Sequence, residues 1–161
     1  MSLADLSSTL WRVREMLDLL LFKLEEEQLL LAAGKTRWLP HATREVEMVL
    51  EQIRQTEVLR AAQVDAVAAE LGLHPAPSLS QLAAAAGEPW GDILQQHRAA
   101  FLTATSEITA MAELNRELLT SGARSVHEAL MTVTGQVSTY SRRGETVGTG
   151  RAASHIVNEA M

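Results

Sequence analysis

The stretch LADLSSTLWRVREMLDLLLFKL, Leu3 to Leu24, decides the fold of this chain. Its large apolar residues recur at alternating intervals of three and four, and they are Leu3, Leu6, Leu10, Val13, Leu17, Leu20 and Leu24. This heptad spacing puts an apolar stripe on one face of an α-helix and favours packing against another helix. Further apolar residues beside the stripe are Trp11, Met16, Leu21, Phe22, Leu29 and Leu30. They predict that this helix contacts more than one partner helix.

A second long helix is predicted from near Pro40 to Leu71, because proline is tolerated in the first helical turn and no glycine or proline follows before Gly72. Its stripe begins with Val46, then Val49 or Leu50, and Ile53, and we expect it to shift phase to Leu59, Ala62, Ala66 and Ala69. Because Gly34 ends the first helix, the second should return antiparallel to it.

The rest of the chain predicts a short helix, a third long helix and one more amphipathic segment. The stretch GLHPAPS, residues 72–78, is a loop by its two prolines, and SLSQLAAAAG, residues 78–87, is a short capped helix. The third long helix starts near Pro89, with a seam of Leu94, His97, Phe101, Ala104, Ile108, Met111, Asn115 and Leu118. We expect Gly122 to interrupt it before a last stripe of Val126, Leu130, Val133, Val137 and Tyr140.

These patterns predict an all-α fold, an elongated antiparallel helical bundle or coiled coil of three long helices with a shorter C-terminal amphipathic helix. We expect one helical domain over residues 1–140, since 161 residues are about one domain's worth of chain. The Gly-, Ser-, Thr- and Arg-rich residues 141–161 predict a flexible C-terminal tail. The heptads leave open whether the protein is a monomer or a dimer.

Composition narrows the functional classes. The formal net charge of -6 is spread along the chain, which disfavours nucleic acid as a partner. The apolar runs are far shorter than the roughly 20 residues that span a bilayer, so we expect no stable membrane insertion. The first residues do not resemble a secretory signal, and the absence of cysteine fits a reducing compartment, so the expected location is the cytoplasm.

The chemistry of the side chains does not predict an enzyme. None of the five histidines has a glutamate three residues before it or belongs to an H-E-x-x-H pattern, so we expect neither a metal nor another cofactor. His97 alone lies on a seam, where a histidine hydrogen-bonded between helices is the simplest interpretation. The run Glu25 to Glu27 spreads around its helix, as acids on a solvated face do, and offers no pair for acid-base catalysis.

Helix faces remain as the candidates for function. Asn115 occupies a seam position, where it either disfavours wrong helix registers and limits how tightly a partner locks, or is an ordinary hydrogen-bonded core residue. The apolar residues after it are Leu118, Leu119, Val126, Leu130 and Val133. They either complete an internal core or present a groove to the amphipathic helix of another protein.

The long helices, the sequence Asn-Arg-Glu-Leu-Leu at residues 115–119, the amphipathic segment to Val133, and Tyr140 with Gly144 four residues on resemble the FlgN-type flagellar export chaperones. The match of particular residues runs from about Met111 to Gly144. Two positions differ from the usual family pattern. Ala112 stands where many members have a further asparagine, and Ser141 follows the tyrosine where glycine is usual.

The resemblance implies a cytosolic chaperone of the flagellar type III export system. Such a chaperone binds the C-terminal helices of the hook-filament junction proteins FlgK and FlgL, prevents their premature assembly and delivers them to the export gate. The implied cargo-binding residues are Asn115, Leu118, Leu119, Val126, Leu130 and Val133. By the same resemblance, Tyr140 docks to the cytoplasmic domain of the export-gate protein. The alternative that the sequence leaves open is a structural or adaptor coiled-coil protein that acts by self-association.

Overall fold

The computed structural model describes the backbone of residues 2–141 and the side chains of residues 2–133. Four helices make up this part of the chain: α1 (Leu3–Ala32), α2 (Leu39–Glu70), α3 (Leu79–Ala86) and α4 (Trp90–Ser141). Residues 2–141 contain no strand, so the predicted all-α class is confirmed for them. The predicted flexible tail lies outside the described residues apart from Ser141, and the domain boundary at residue 140 stays a prediction.

The chain divides into two compact units, Met1–Glu113 and Leu114–Met161. The first unit contains α1, α2, α3 and the first part of α4. The described part of the second unit is the remainder of α4. Among residues 2–133, buried hydrophobic side chains form two core clusters, and both belong to the first unit.

The helices of the first unit begin at local signals in the sequence. Ser2 accepts a hydrogen bond from the backbone N–H of Asp5, whose carboxylate accepts one from the Ser2 N–H in return. Ser78 and Gln81 form the same reciprocal arrangement at the start of α3. Each pair satisfies two backbone N–H groups that the first helical turn leaves without partners. Helix α2 instead has proline in its first turn.

Both α1 and α2 end at a glycine with positive φ. After α1, the backbone N–H of Lys35 donates to the carbonyl of Leu30 while Gly34 holds a φ of 66°. After α2, the N–H of Leu73 donates to the carbonyl of Ala68 with Gly72 at 69°. In both turns the glycine adopts a backbone conformation that is energetically unfavourable for other residues. The N–H of the residue after it then satisfies one of the last carbonyls of the helix.

Helices α1 and α2 pack antiparallel along their apolar stripes. The start of α1 contacts the end of α2 in one core cluster. The members of this cluster are Leu6, Leu10, Val64, Val67, Leu82, Ala83 and Leu94. The end of α1 contacts the start of α2 in the other cluster, formed by Leu20, Leu24, Val46 and Val49. An ion pair between Lys23 and Glu45, 3.0 Å between Nζ and Oε2, lies at the same end. The predicted antiparallel pairing of these two helices is correct.

Helix α3 and the first part of α4 cover one end of this pair. Leu82 and Leu94 are fully buried in the first cluster, and Phe101 packs against it. Farther along α4, Ile108 and Met111 pack against the second cluster. The order of these contacts shows that this part of α4 runs parallel to α1.

Two details of the sequence prediction are wrong. The buried stripe of α2 does not shift phase, because Thr56, Val64 and Val67 are buried whereas Leu59 is 43% exposed. Of the apolar residues beside the α1 stripe, Met16 is buried, whereas Trp11, Phe22 and Leu29 are each at least half exposed. The prediction that α1 contacts more than one helix is confirmed, because Leu6 and Leu10 share a core cluster with residues of α2, α3 and the first part of α4.

The second wrong detail concerns the C-terminal region. Helix α4 continues through Gly122 to Ser141, so the predicted shorter C-terminal helix is not a separate element. A single glycine weakens a helix by only about 1 kcal/mol relative to alanine, so it does not by itself end a helix.

The contact between α3 and α4 generates a prediction about Gly91. A Cβ atom at this position would lie 2.9 Å from the carbonyl oxygen of Ala83, so the two helices approach too closely for any side chain. We expect Gly91→Ala to lower the free energy of unfolding by about 1–3 kcal/mol, the usual cost of overpacking. Urea unfolding followed by circular dichroism measures this change.

The matched control is Gly122→Ala, because no described atom lies within 4 Å of a Cβ atom there. That substitution should leave stability unchanged or raise it through helix propensity. Equal stability of the Gly91→Ala variant and the parent would contradict the close approach.

Candidate partner-binding face

The six residues that the sequence proposes for cargo binding lie on one face of α4. They are Asn115, Leu118, Leu119, Val126, Leu130 and Val133, and we call them the distal face. At 3.6 residues per turn these positions fall within an arc of about 120°, because most of the intervals between them are three, four or seven residues, which are close to whole turns. The uninterrupted helix therefore brings all six to the same side.

Exposure differs along the distal face. Leu119, Val126 and Val133 are 47%, 55% and 56% exposed, and Leu118 and Leu130 are partly buried. Asn115 is buried, with 4% of its surface exposed. The face therefore begins at a buried amide and continues as an apolar surface open to solvent. This exposed stripe is the structural feature that a partner helix could cover.

Charged residues border the distal face on one side only. By helical rotation Arg116 lies next to the edge formed by Leu119 and Leu130, whereas Glu117 and Glu128 lie on the opposite side of α4. No acidic residue in 114–133 falls within the apolar arc. A partner would therefore meet an apolar surface with positive charge at one edge.

Two further exposed apolar side chains on this part of α4 were not predicted as binding residues. Met131 is 61% exposed and Leu114 39% exposed. Both fall off the heptad spacing, so the sequence pattern gave no reason to include them. Tyr140 belongs to α4 by its backbone, and its side chain lies outside the described residues.

The buried histidine of the first unit, His97, has a structural environment. It is 1% exposed, its Nε2 lies 3.1 Å from the Oγ of Ser7, and its ring meets that of Trp11 edge-on with centroids 5.3 Å apart. Burial lowers the pKa of His97 below its ordinary value, and the nearby charge of Arg14 lowers it further. His97 is therefore the hydrogen-bonded histidine between helices that the seam position indicated.

The described residues contain no cluster of three or more histidines, cysteines or acids that could hold a metal ion. Of the glutamate run, Glu26 lies 3.7 Å from the Nζ of Lys23 and Glu27 accepts a hydrogen bond from Thr43. These are contacts of an ordinary helix surface. In residues 2–141, no helix has the length and apolar character required to cross a bilayer.

An exposed apolar face on a helix is a kind of surface through which all-α proteins bind other proteins. A family model described as "FlgN protein" matches residues 1–148, and the chain belongs to the FlgN family. This is a family of flagellar export chaperones and is not known for catalysis. The resemblance seen in the sequence is confirmed. No curated protein and no solved structure was found to match the chain.

The lowered pKa of His97 predicts how stability depends on pH. Because the unfolded histidine, with its pKa of 6.5, takes up a proton before the folded one, the free energy of unfolding should fall as the pH drops below about 6.5. The loss should level off below the folded pKa. Replacing His97 by glutamine keeps a group that can hydrogen-bond Ser7 and removes the titration, so the free energy of unfolding of the variant should decrease less.

Urea unfolding of both proteins between about pH 7.5 and pH 5 measures this difference. His127→Gln serves as the control, since it removes an exposed histidine and should retain the parent's decrease. The same pH dependence in the His97→Gln variant and the parent would refute the assignment.

Proposed function

We propose that this chain is a cytosolic chaperone of flagellar type III export that binds the C-terminal helices of FlgK and FlgL through the distal face. It keeps these junction proteins from assembling early and delivers them to the export gate. The observation that supports the proposal most is the apolar stripe exposed at the end of α4 in a member of the FlgN family. An elongated antiparallel bundle of the long helices is part of the same proposal.

The shape of the distal face favours a helix as its ligand. Its apolar residues follow the spacing of three and four, and a second amphipathic helix presents side chains at the same spacing. Junction proteins that assemble through helical contacts at their ends expose such apolar stripes before assembly. A removable helical cover prevents these stripes from pairing too early.

The size of the face is consistent with release of the cargo. Leu119, Val126 and Val133 are each about half exposed. Binding would therefore bury only the remaining exposed half of these side chains. We expect a dissociation constant between about micromolar and nanomolar, which corresponds to roughly 8 to 12 kcal/mol. That affinity holds the cargo in the cytosol and still lets the export gate remove it.

Docking to the gate is assigned to a separate part of the chain. The family resemblance gives this role to Tyr140, near the end of α4 and seven residues beyond Val133. Two turns of helix separate the tyrosine from the distal face, so one partner at each place is sterically reasonable. The chaperone could then hold its cargo while it contacts the cytoplasmic domain of the gate protein.

Charge introduced into the distal face should abolish cargo binding. We expect Val126→Glu to weaken binding of a FlgK or FlgL C-terminal peptide by at least about 30-fold, because a carboxylate would be desolvated in an apolar contact. Isothermal titration calorimetry of the full chain with each peptide measures the effect.

The control for this experiment is Thr120→Glu, which adds the same charge on the opposite side of α4 and should bind nearly as the parent does. Equal binding by the Val126→Glu variant and the parent would refute the assignment of the face. If the parent binds neither peptide but self-associates through this face, the structural or adaptor role is the correct one.

Loss of the Tyr140 ring should affect only the gate. We expect Tyr140→Ala to retain the parent's affinity for cargo peptide and to weaken binding to the cytoplasmic domain of the gate protein by about 10-fold or more, as for an aromatic contact residue. Surface plasmon resonance with the immobilised gate domain measures the affinity for the gate. Isothermal titration calorimetry with the cargo peptide measures the affinity for cargo. A variant that binds the gate domain as tightly as the parent would show that the tyrosine has another role.

A further inference from the structure

For four of the five glycines within residues 2–133, the backbone conformation or a close contact inside this chain explains why the residue is glycine. Three of them, Gly34, Gly72 and Gly87, have φ values of 66°, 69° and 70°, a region that other residues rarely adopt. Gly91 faces the carbonyl oxygen of Ala83, which leaves no room for a Cβ atom. In each case the backbone or a neighbouring helix requires the absence of a side chain.

Gly122 has neither reason. It lies inside α4 with helical geometry and is absent from the residues with positive φ. No described atom comes within 4 Å of the place where its Cβ would be. Alanine would make the helix more stable by about 1 kcal/mol. The contacts among the described residues therefore do not account for glycine at this position.

Gly122 is exposed and lies on the distal face of α4. By helical rotation it lies in the middle of the distal face, one turn after Leu118 and Leu119 and one turn before Val126. In helix packing, a side chain of one helix enters a hole formed by residues i, i+3, i+4 and i+7 of the other. Leu119, Gly122, Ala123 and Val126 are such a set.

The composition of this hole makes it deep. Leu119 and Val126 form its two ends, and both side chains are about half exposed. Gly122 and Ala123 form its middle, where one residue has no side chain and the other only a methyl group. A partner's backbone can approach closely over such a middle, because no Cβ of residue 122 stands in the way.

We propose that Leu119, Gly122, Ala123 and Val126 form the hole that receives the largest apolar side chain of the cargo helix, and that Gly122 thereby sets which helix register binds. The inference rests on the proposed cargo-binding function and deepens it. The occupant is an amphipathic helix with one bulky apolar residue, such as leucine, methionine or phenylalanine, at its centre.

The charge beside the distal face adds a requirement on the cargo helix. Arg116 lies beside the edge of the distal face, and Glu117 and Glu128 lie away from it. A cargo helix with an acidic residue on the flank next to Arg116 gains a favourable interaction, whereas a basic residue there is repelled. Apolar packing at the hole and charge at one edge together define the orientation of the bound helix.

Filling the hole tests the proposal. Fluorescence anisotropy of a labelled FlgK or FlgL C-terminal peptide, titrated with the full chain, gives the affinity. We expect Gly122→Leu to weaken binding at least about 10-fold and Gly122→Ala to weaken it about 3- to 10-fold, in order of added volume. Both variants should keep or exceed the parent's helical content by circular dichroism, which excludes unfolding as the cause. The matched control, Thr120→Leu, adds the same side chain on the opposite side of α4 and should bind as the parent does.

A second variant distinguishes a hole from a hinge. The double substitution of Ser121→Gly with Gly122→Ala keeps a flexible glycine in the same turn but moves it about 100° around the helix. If the hole matters, this variant should bind as weakly as Gly122→Ala alone. Recovery of the parent's affinity would show that glycine serves flexibility and would overturn the inference.

The remaining outcomes separate this inference from the function on which it rests. If the parent binds peptide and Gly122→Leu binds equally well, the hole is refuted and the chaperone function stands. If the parent binds neither peptide, both fail. If Gly122→Leu instead disrupts self-association measured by analytical ultracentrifugation, a second copy of this chain is the occupant, and the assignment to cargo is overturned.

Discussion

Burial of the apolar stripe of α1 against α2 is the interaction on which the rest of the structure depends. Leu6 and Leu10 at one end and Leu20 and Leu24 at the other fix the two helices antiparallel and in one register. Each fully buried leucine contributes about 1.5–3 kcal/mol relative to an exposed one. The pair then provides the surface against which α3 and the first part of α4 pack.

The heptad pattern of α4 is buried in its first part and exposed in its later part. Its first part is anchored by Leu94 and His97, which are almost completely buried, while Leu119 and Val126 farther along are about half exposed. The heptad spacing is the same in both parts. A stripe that stabilises the fold and a stripe that is available to a partner therefore differ in what covers them and not in their sequence.

A buried polar contact within the first unit joins α1 to the first part of α4. His97 lies against Ser7 and contacts the rings of Trp11 and Phe101, and burial lowers its pKa. An arrangement of α1 and α4 that separated His97 from Ser7 would remove the hydrogen bond of its buried Nε2, which costs free energy. No catalytic role is needed to explain it, which agrees with the family to which the chain belongs.

The sequence by itself indicated α1, α2 and α3, the cap at Ser78, the stops at Gly34 and Gly72, the α1 stripe and the family. These features depend on neighbours in the chain, so local reasoning finds them. Only the tertiary structure decided which stripe of α2 is buried, that α4 continues through Gly122, and which leucines and valines stay exposed. Periodicity defines a face of a helix, but burial depends on a partner surface that comes from distant parts of the chain or from another protein.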